Sequence, residues 1–500
     1  MRGIGLLLGT ALAEAALVNQ WTFDDGPGTH PTAVDSVGGK TGTLTNMEAG
    51  DWISSGLPPV PSGTSHALDF DGSNEFVVAT GYKGITGTNA RSVSAWIKGD
   101  KNNAAIISWG QDAGGKKWIF RVQDGNGTAG AIRVEVSGGY QVGNTDVRST
   151  TTWHHVAAVL PPAGTPNVNQ IRLYVDGVLE GISASKGKKI NTASDKNVRI
   201  AQDHSNRHFD GLMDEVRIYN HGLSSAEVRA LAGAPADLYS DAVLADGAIA
   251  FWRLGEDTGG KAFNEGSLLA AVDGSYSGVA NSDKGVPGLL AASSNPAVHR
   301  DGSNDEVHVP NHGQINRAGA GYTTKSFELL FEADQVSGRQ VLFEQGGKTN
   351  GFNLYLQDDE LYFGAWTDNN FFSADTAASA LDIVAGQTYH VAGLWDSGDL
   401  DLYVGGRPVD SATATFTTVK KHTGKNAIGG VRNDTRFHNA TAGDGYNFAG
   451  IIDEVALYNL VLSEDQIRKH FLLSTPEPGT AVIWSLLGAL GLGAGWRRRR

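Results

Sequence analysis

Carboxylates in matched positions are the residues of this 500-residue chain best placed to do chemistry. Asp71 and Asp301 each open an Asp-Gly-Ser-Asn turn. Asp214 and Asp453 each stand in an Asp-Glu-Val segment, and Asp24 and Glu256 lie in the openings of two similar halves. Hard oxygen ligands of this kind suit Ca²⁺, and a chain with no Cys and no His-x-x-x-His pattern offers little to a softer metal. The competing role is local, because Asp before Gly routinely accepts the backbone N–H groups of its own turn.

Other arrangements promise less. His154-His155 cannot converge on one ion if the segment is a strand, since successive side chains point to opposite faces. Only His390 answers the pair in the second half. Glu328-Leu329-Leu330-Phe331-Glu332 puts two carboxylates on one strand face, about 13 Å apart. A retaining glycosidase pair stands at about 5.5 Å, so this segment reads as a solvated face, and its counterpart Ser94 to Lys98 carries no carboxylate. There is no Gly-x-Ser-x-Gly, no Walker-type loop and no His-Glu-x-x-His. Val136-Ser137-Gly138-Gly139 and Gln345-Gly346-Gly347 are not followed by helices, so neither reads as a phosphate cradle. Catalysis is not expected. Three clusters could instead stack on sugars and hydrogen-bond to them: Tyr140-Gln141, Thr367 to Phe372, and Asp444-Gly445-Tyr446-Asn447. None is singled out as a site.

The elements that position these residues recur as well. Phe209-Asp210-Gly211-Leu212-Met213-Asp214-Glu215-Val216-Arg217-Ile218-Tyr219-Asn220 returns as Phe448-Ala449-Gly450-Ile451-Ile452-Asp453-Glu454-Val455-Ala456-Leu457-Tyr458-Asn459. Trp153-His154-His155-Val156-Ala157 returns as Tyr389-His390-Val391-Ala392, and Arg172 to Gly177 as Asp401 to Gly406, always in the same order. So long a period means two whole domains rather than a solenoid. Ile171, Leu173 and Val175 alternate with Arg172 and Tyr174 before Asp176-Gly177, the pattern of a strand entering a tight hairpin. Helix is scarce: Ser224-Ser225-Ala226-Glu227 and Ser463-Glu464-Asp465-Gln466 have capping-box spacing and predict one short helix at the end of each half.

Composition agrees. The 66 glycines and 19% charged residues suit short strands joined by many turns. A net charge of −14 excludes a general nucleic-acid binder, which needs a basic face.

Each half resembles a laminin-G-like, concanavalin A-like jelly roll, carried by Gln20-Trp21-Thr22-Phe23-Asp24, Phe70-Asp71-Gly72-Ser73-Asn74, Trp153-His154-His155-Val156 and Asp214-Glu215-Val216-Arg217-Ile218-Tyr219. Ala250-Phe251-Trp252-Arg253-Leu254-Gly255-Glu256 and Asp453-Glu454-Val455 carry the resemblance in the second half. It implies a structural Ca²⁺ in such modules, with Asp24, Asp71, Asp214, Glu256, Asp301 and Asp453 as candidate ligands. It also implies an extracellular glycan or protein as partner. Some glucanases share the fold, so a polysaccharide-active hydrolase or lyase is the enzymatic alternative, and a structural spacer is the third reading.

The ends read as addresses. Arg2, the run Ile4 to Leu8 and Ala13-Glu14-Ala15 form a signal-peptide layout over 1–15. Pro476-Glu477-Pro478, an apolar stretch over 480–496 and Arg497-Arg498-Arg499-Arg500 resemble the PEP-CTERM sorting signal of Gram-negative bacteria. That resemblance implies an exosortase and the secretion machinery as partners, and a membrane helix before processing, with its arginines on the cytoplasmic side. Loss of those four arginines takes the body from −14 to −18, which disfavours anionic partners and favours divalent cations. The expected fold is therefore all-β: two tandem antiparallel β-sandwich jelly rolls over 16–232 and 238–472, a linker over 233–237, and a C-terminal apolar helix within a tail over 473–500. The expected location is the cell surface or extracellular matrix, with transient anchoring in the membrane.

Overall fold

Period-two alternation builds both halves into sandwiches. In the Lys117–Val122 strand, Trp118, Phe120 and Val122 enter the core while Lys117, Ile119 and Arg121 face away from it. The computed structural model describes residues 16–26, 31–291, 293–439 and 441–475. The described chain is almost entirely β and divides into two compact units between Pro235 and Ala236.

The first unit packs two antiparallel sheets face to face. One, here the closing sheet, runs Val178–Leu179, Arg172–Val175, His154–Leu160, Arg91–Lys98, Asp210–Tyr219, Ala67–Asp71, Trp52–Ile53, with Leu17–Trp21 on the free flank of Asp210–Tyr219. The opposing sheet runs Ala184–Lys186, Tyr140–Asp146, Ala131–Glu135, Lys117–Val122, Ala105–Gly110, Lys196–Ile200, Phe76–Ala79, Gly42–Thr45, Thr32–Ala33. Trp21, Phe70, Trp109, Trp118, Phe120 and Met213 fill the space between them. Neighbours in the sheets are distant in sequence, so the turns gather chemistry from remote segments. Asp176-Gly177 closes the predicted hairpin with φ of 51° and 84°, the primed turn that Asp-Gly favours.

The second unit repeats the plan. Its closing sheet holds Ala297–Asp301, Ala449–Tyr458, Thr324–Ala333, Thr388–Asp396 and Asp399–Val404. Its opposing sheet holds Glu306–Val309, Asn426–Ile428, Arg339–Gly346, Gly351–Gln357, Glu360–Thr367 and Asn370–Asp375. An extra hairpin, Val431–Arg436 with Ala442–Gly445, lies outside both sheets. Phe437 beside it packs on Tyr355 of the opposing sheet's outer face.

Among the described residues three α-helices accompany the sheets. Helices α1 (Ser225–Leu231) and α3 (Glu464–Ser474) start at the predicted capping boxes of Ser224–Glu227 and Ser463–Gln466. Helix α2 (Leu238–Ala245), capped by Asp237, was not predicted. In the first unit α1 covers the outer face of the closing sheet, setting Val228 against Ala157, Val159, Tyr174 and Tyr219. In the second, α2 and α3 do the same with Tyr239, Val243 and Ile467 over Leu330, Ala392, Leu394 and Tyr458. Among the described residues no helix is long and apolar enough to cross a membrane. The expected signal peptide over 1–15 and the apolar helix over 480–496 lie outside the described residues.

Candidate functional site

The repeated Asp-Glu-Val segment is a β-bulge. Glu215 and Glu454 hold left-handed backbone, φ 52° and 53°, and the pairing register of each closing strand slips at that point. An extra residue in one strand re-aims its side chains. Asp214 Oδ1 accepts the Glu215 N–H at 2.7 Å, and Asp453 Oδ1 the Glu454 N–H at 3.0 Å, which leaves each Oδ2 facing the neighbouring loops. Positive φ at a non-glycine residue costs about 1–3 kcal/mol and persists only where surroundings enforce it. Here Gln20 and Arg217 hold the Glu215 carboxylate at 2.8 and 2.6 Å, while Arg253 and Asn295 hold Glu454.

In the first unit the bulge brings Asp214 and Asp24 together through Thr64. The Thr64 hydroxyl lies 2.9 Å from Asp214 Oδ2, 3.0 Å from Asp24 Oδ1 and 3.0 Å from the His66 carbonyl. One hydroxyl hydrogen cannot serve three acceptors, so the cluster needs a further proton or a cation among its oxygens. Burial pushes the Asp214 carboxyl up to about 8. Burial works against the Asp24 charge too, but hydrogen bonds from Ser65, Thr64 and His66 outweigh it and hold that carboxyl below its ordinary value.

The second unit does not repeat this cluster. Trp252 pairs with Val455 as Trp21 pairs with Val216, and Leu254 has positive φ as Phe23 does, so Gly255, not Glu256, occupies the place of Asp24. A Cβ there would fall 2.1 Å from Asn295, whose side chain fills the space. Asp453 Oδ2 accepts the Leu289 N–H at 2.9 Å, and burial raises its carboxyl. Glu256 is buried elsewhere, bonded to the Tyr276 hydroxyl at 2.6 Å and the Phe263 N–H at 2.7 Å, and burial pushes it up to about 7. Asp71 and Asp301 hold their own turns: Asp71 Oδ1 accepts from Ser73 and Asn74 at 2.7 and 3.2 Å, and Asp301 Oδ1 from Ser303 at 2.8 Å. Of the six predicted ligands, the structure brings together Asp24 and Asp214. Among the described residues no group of three or more His, Asp or Glu side chains is placed to hold a metal.

Glu328 departs from its expected solvated face. It is buried beneath α2 and α3, where Oε1 accepts the Tyr239 hydroxyl and Oε2 meets His470 Nδ1, both at 2.9 Å. His470 Nε2 meets Asp246 at 2.9 Å, and His390 stands 3.3 Å from Glu328. Glu332, on the same face, accepts the Thr388 hydroxyl at 2.9 Å. His154 binds Asp176 at 2.8 Å, while His155 points to the opposite face, buried edge-on to Trp96.

Among the described residues no helix covers the outer face of either opposing sheet, although Ile119, Val142, Tyr355 and Trp366 on these faces are buried, and residues of all three aromatic–polar clusters reach them. Tyr140 lies on that face in the first unit, under the Arg133 guanidinium at 4.1 Å, whereas Gln141 turns inward to the Ile171 carbonyl. Phe371 stacks beside Trp366 on the corresponding face of the second unit, while Phe372 enters the core against Phe416. Tyr446 joins Phe437, which packs on Tyr355 there.

Two stretches of the chain, 71–229 and 301–468, match the model of the concanavalin A-like lectin/glucanases superfamily. No curated protein matches the chain. Among solved structures it is similar to domain 4 of AbnA, a GH43 extracellular arabinanase from Geobacillus stearothermophilus, in complex with arabinotriose. Identity is 21% over 44% of this chain and 99% of that one, with a TM-score of 0.33. Domains LG4-5 of the mouse laminin alpha1 chain match at 13% identity over 81% of this chain and 94% of that one, TM-score 0.25. The CBM40 of Ruminococcus gnavus IT-sialidase, bound to alpha2,3 sialyllactose, matches at 17% over 32% and 85%, TM-score 0.23. Likenesses this remote say nothing about a ligand.

Proposed function

Because this chain belongs to the concanavalin A-like lectin/glucanases superfamily through both of its units, we propose that it is an exported, non-catalytic surface or matrix protein that binds glycans through the outer faces of its opposing sheets. One observation carries this reading. In both units the closing sheet has its outer face covered by helix, whereas the outer face of the opposing sheet carries a half-buried ring, Tyr140 in one and Phe371 in the other. Aromatic rings beside hydrogen-bonding side chains suit sugars, which are apolar on their faces and polar at their edges. The residues at 1–15 and 476–500 support export and a PEP-CTERM sorting signal through their sequence alone. A glycan array probed with the full chain, with product analysis of every bound glycan, tests the reading. Binding without turnover supports it, turnover replaces it with an enzyme, and silence on all glycans refutes it.

Calcium belongs to the same proposal, in the first unit. Asp24 and Asp214 would hold the ion together with the Thr64 hydroxyl and the His66 carbonyl, a set of hard oxygens that suits Ca²⁺. The ion would displace the proton from Asp214 and tie the opening segment to the closing strand. The second unit does not fit: Leu289 aims an N–H at Asp453, and glycine stands where Asp24 would be.

A further inference from the structure

We propose that the outer face of the first unit's opposing sheet binds a uronate-bearing glycan, whose carboxylate enters the cation cluster around Glu135. The inference rests on the reading of that face as the glycan-binding surface, and names the substrate class it would take.

Four cations converge on one carboxylate there. Lys117 Nζ lies 2.8 Å from Glu135, Arg133 3.0 Å, and Arg121 and Arg207 3.5 Å each. Arg121 and Arg133 are direct cross-strand partners on the same face, and like charges so placed repel unless an anion sits among them. Glu135 alone cannot neutralise the group. Asp203 binds Arg207 at 2.5 Å, and the rest of the compensation comes from two rim acids. These are Asp112, 3.0 Å from Lys117 with its side chain 56% exposed, and Asp124, 3.4 Å from Arg121 and 47% exposed. Water screens such exposed partners strongly, so a ligand carboxylate can replace them at little cost.

The guanidinium groups are also short of partners. Arg121 and Arg133 side chains are only 4% and 9% exposed, yet the Nε of each has no hydrogen-bond partner among the described residues. A buried donor left unmet costs about 1–3 kcal/mol, which a bound acceptor recovers. Burial, then the charges of Arg207 and Arg133, hold the Arg121 guanidinium down at about 10. The choice of carboxylate follows from geometry: planar guanidinium forks match planar carboxylates, and Glu135 already shows the cluster gripping one. Tyr140, stacked against Arg133, offers a ring for the sugar body. The net charge of −14 does not forbid this. Beyond about 8 Å salt screens it, so contact charges decide.

The test is a calorimetric titration of the full chain at physiological salt with three probes of equal length: an oligogalacturonate, a neutral galacto-oligosaccharide and a sulfated heparin-derived oligosaccharide. The oligogalacturonate should bind at least about tenfold tighter than the neutral probe, and Arg121→Gln or Arg133→Gln should cost about tenfold each. Removing the competing anions should do the opposite: Glu135→Gln and the exposed Asp124→Asn should each tighten binding by about threefold. Asp382→Asn, a charge control in the other unit, should not. Asp124 lies on an exposed loop, so its variant keeps the test open if a cluster variant fails to fold. Equal binding of neutral and acidic probes, both lost in Tyr140→Ala, overturns the uronate assignment and leaves the face reading intact. Preference for the sulfated probe overturns the carboxylate assignment, and an Asp124→Asn chain no tighter than Asp382→Asn overturns the role of the cluster. Failure of all three probes overturns it as well. Glycans bound elsewhere on an array would still uphold the general function.

Discussion

Replacing His470 should destabilise the second unit more than any surface change, with a pH dependence of defined sign. The imidazole is fully buried between two carboxylates, 2.9 Å from Glu328 and 2.9 Å from Asp246, and so fastens α3 to the closing sheet and to the end of α2. Removing it leaves Glu328 buried with Tyr239 and the more distant His390 as partners. Breaking one side of a buried charge pair costs about 3–5 kcal/mol, so His470→Ala should lower the melting temperature of a unit this size by about 6–20 °C. Burial alone would lower the imidazole pKa, but Glu328 and Asp246 outweigh it and raise it. A raised imidazole stabilises fully below its unfolded value of about 6.5, and that stability is lost as pH rises through the folded value. Glu328 shifts the other way: burial raises it, but His470 and His390 dominate and lower it, so its share is lost only in acid. Scanning calorimetry between pH 5 and about 9 should therefore show wild type losing its advantage over His470→Ala as pH rises. Glu328→Gln should flatten most of that slope. A His470→Ala chain that melts with wild type at pH 6, or a gap that widens with pH, would refute the clamp.

Three further outcomes follow from particular contacts. Millimolar Ca²⁺ should raise the melting temperature of the first unit, and Asp214→Asn should abolish the shift while Asp453→Asn leaves it unchanged; differential scanning calorimetry resolves the two units. Gly211→Ala and Gly450→Ala, at φ 118° and 133°, would drive a Cβ to within 2.4 Å of the Lys98 carbonyl and 2.2 Å of the Glu332 carbonyl. Each should cost about 2–4 kcal/mol in urea unfolding. Glu344 is fully buried, neither of its oxygens has a hydrogen-bond partner among the described residues, and burial followed by the charge of Glu306 raises its pKa well above the ordinary range. A raised carboxyl destabilises the fold as pH climbs above its unfolded value of about 4.3. Glu344→Gln should therefore raise the melting temperature at pH 8 and change little at pH 4.

Much of the fold was legible because its signals are local. Alternation of Trp118 and Phe120 with Lys117 and Arg121 marks a strand, and the capping boxes at Ser224 and Ser463 mark helix starts. What stayed hidden depends on remote partners. Thr64 stands forty residues from Asp24 and 150 from Asp214, in a Pro-rich loop without periodicity, so nothing in the chain announces that it joins them. Aligning Trp21 with Trp252 would have placed Gly255, and not Glu256, opposite Asp24. Glu328 looked solvated because α2 was missed, although Asp237 before an apolar run is an N-cap signal. The cations around Glu135 alternate correctly for an outward face, but their convergence appears only once Arg121 and Arg133 are paired across strands.

The central claim is that the outer face of an opposing sheet meets the glycan. Hydrogen exchange of the full chain, with and without the tightest-binding glycan from the array, tests it most directly. The account predicts slowed exchange in Lys117–Val122, Ala131–Glu135 and Tyr140–Asp146, or in Gly351–Gln357 and Glu360–Thr367, with no turnover of the glycan. Protection confined to α1, α2 or α3 and the closing sheets beneath them would contradict it.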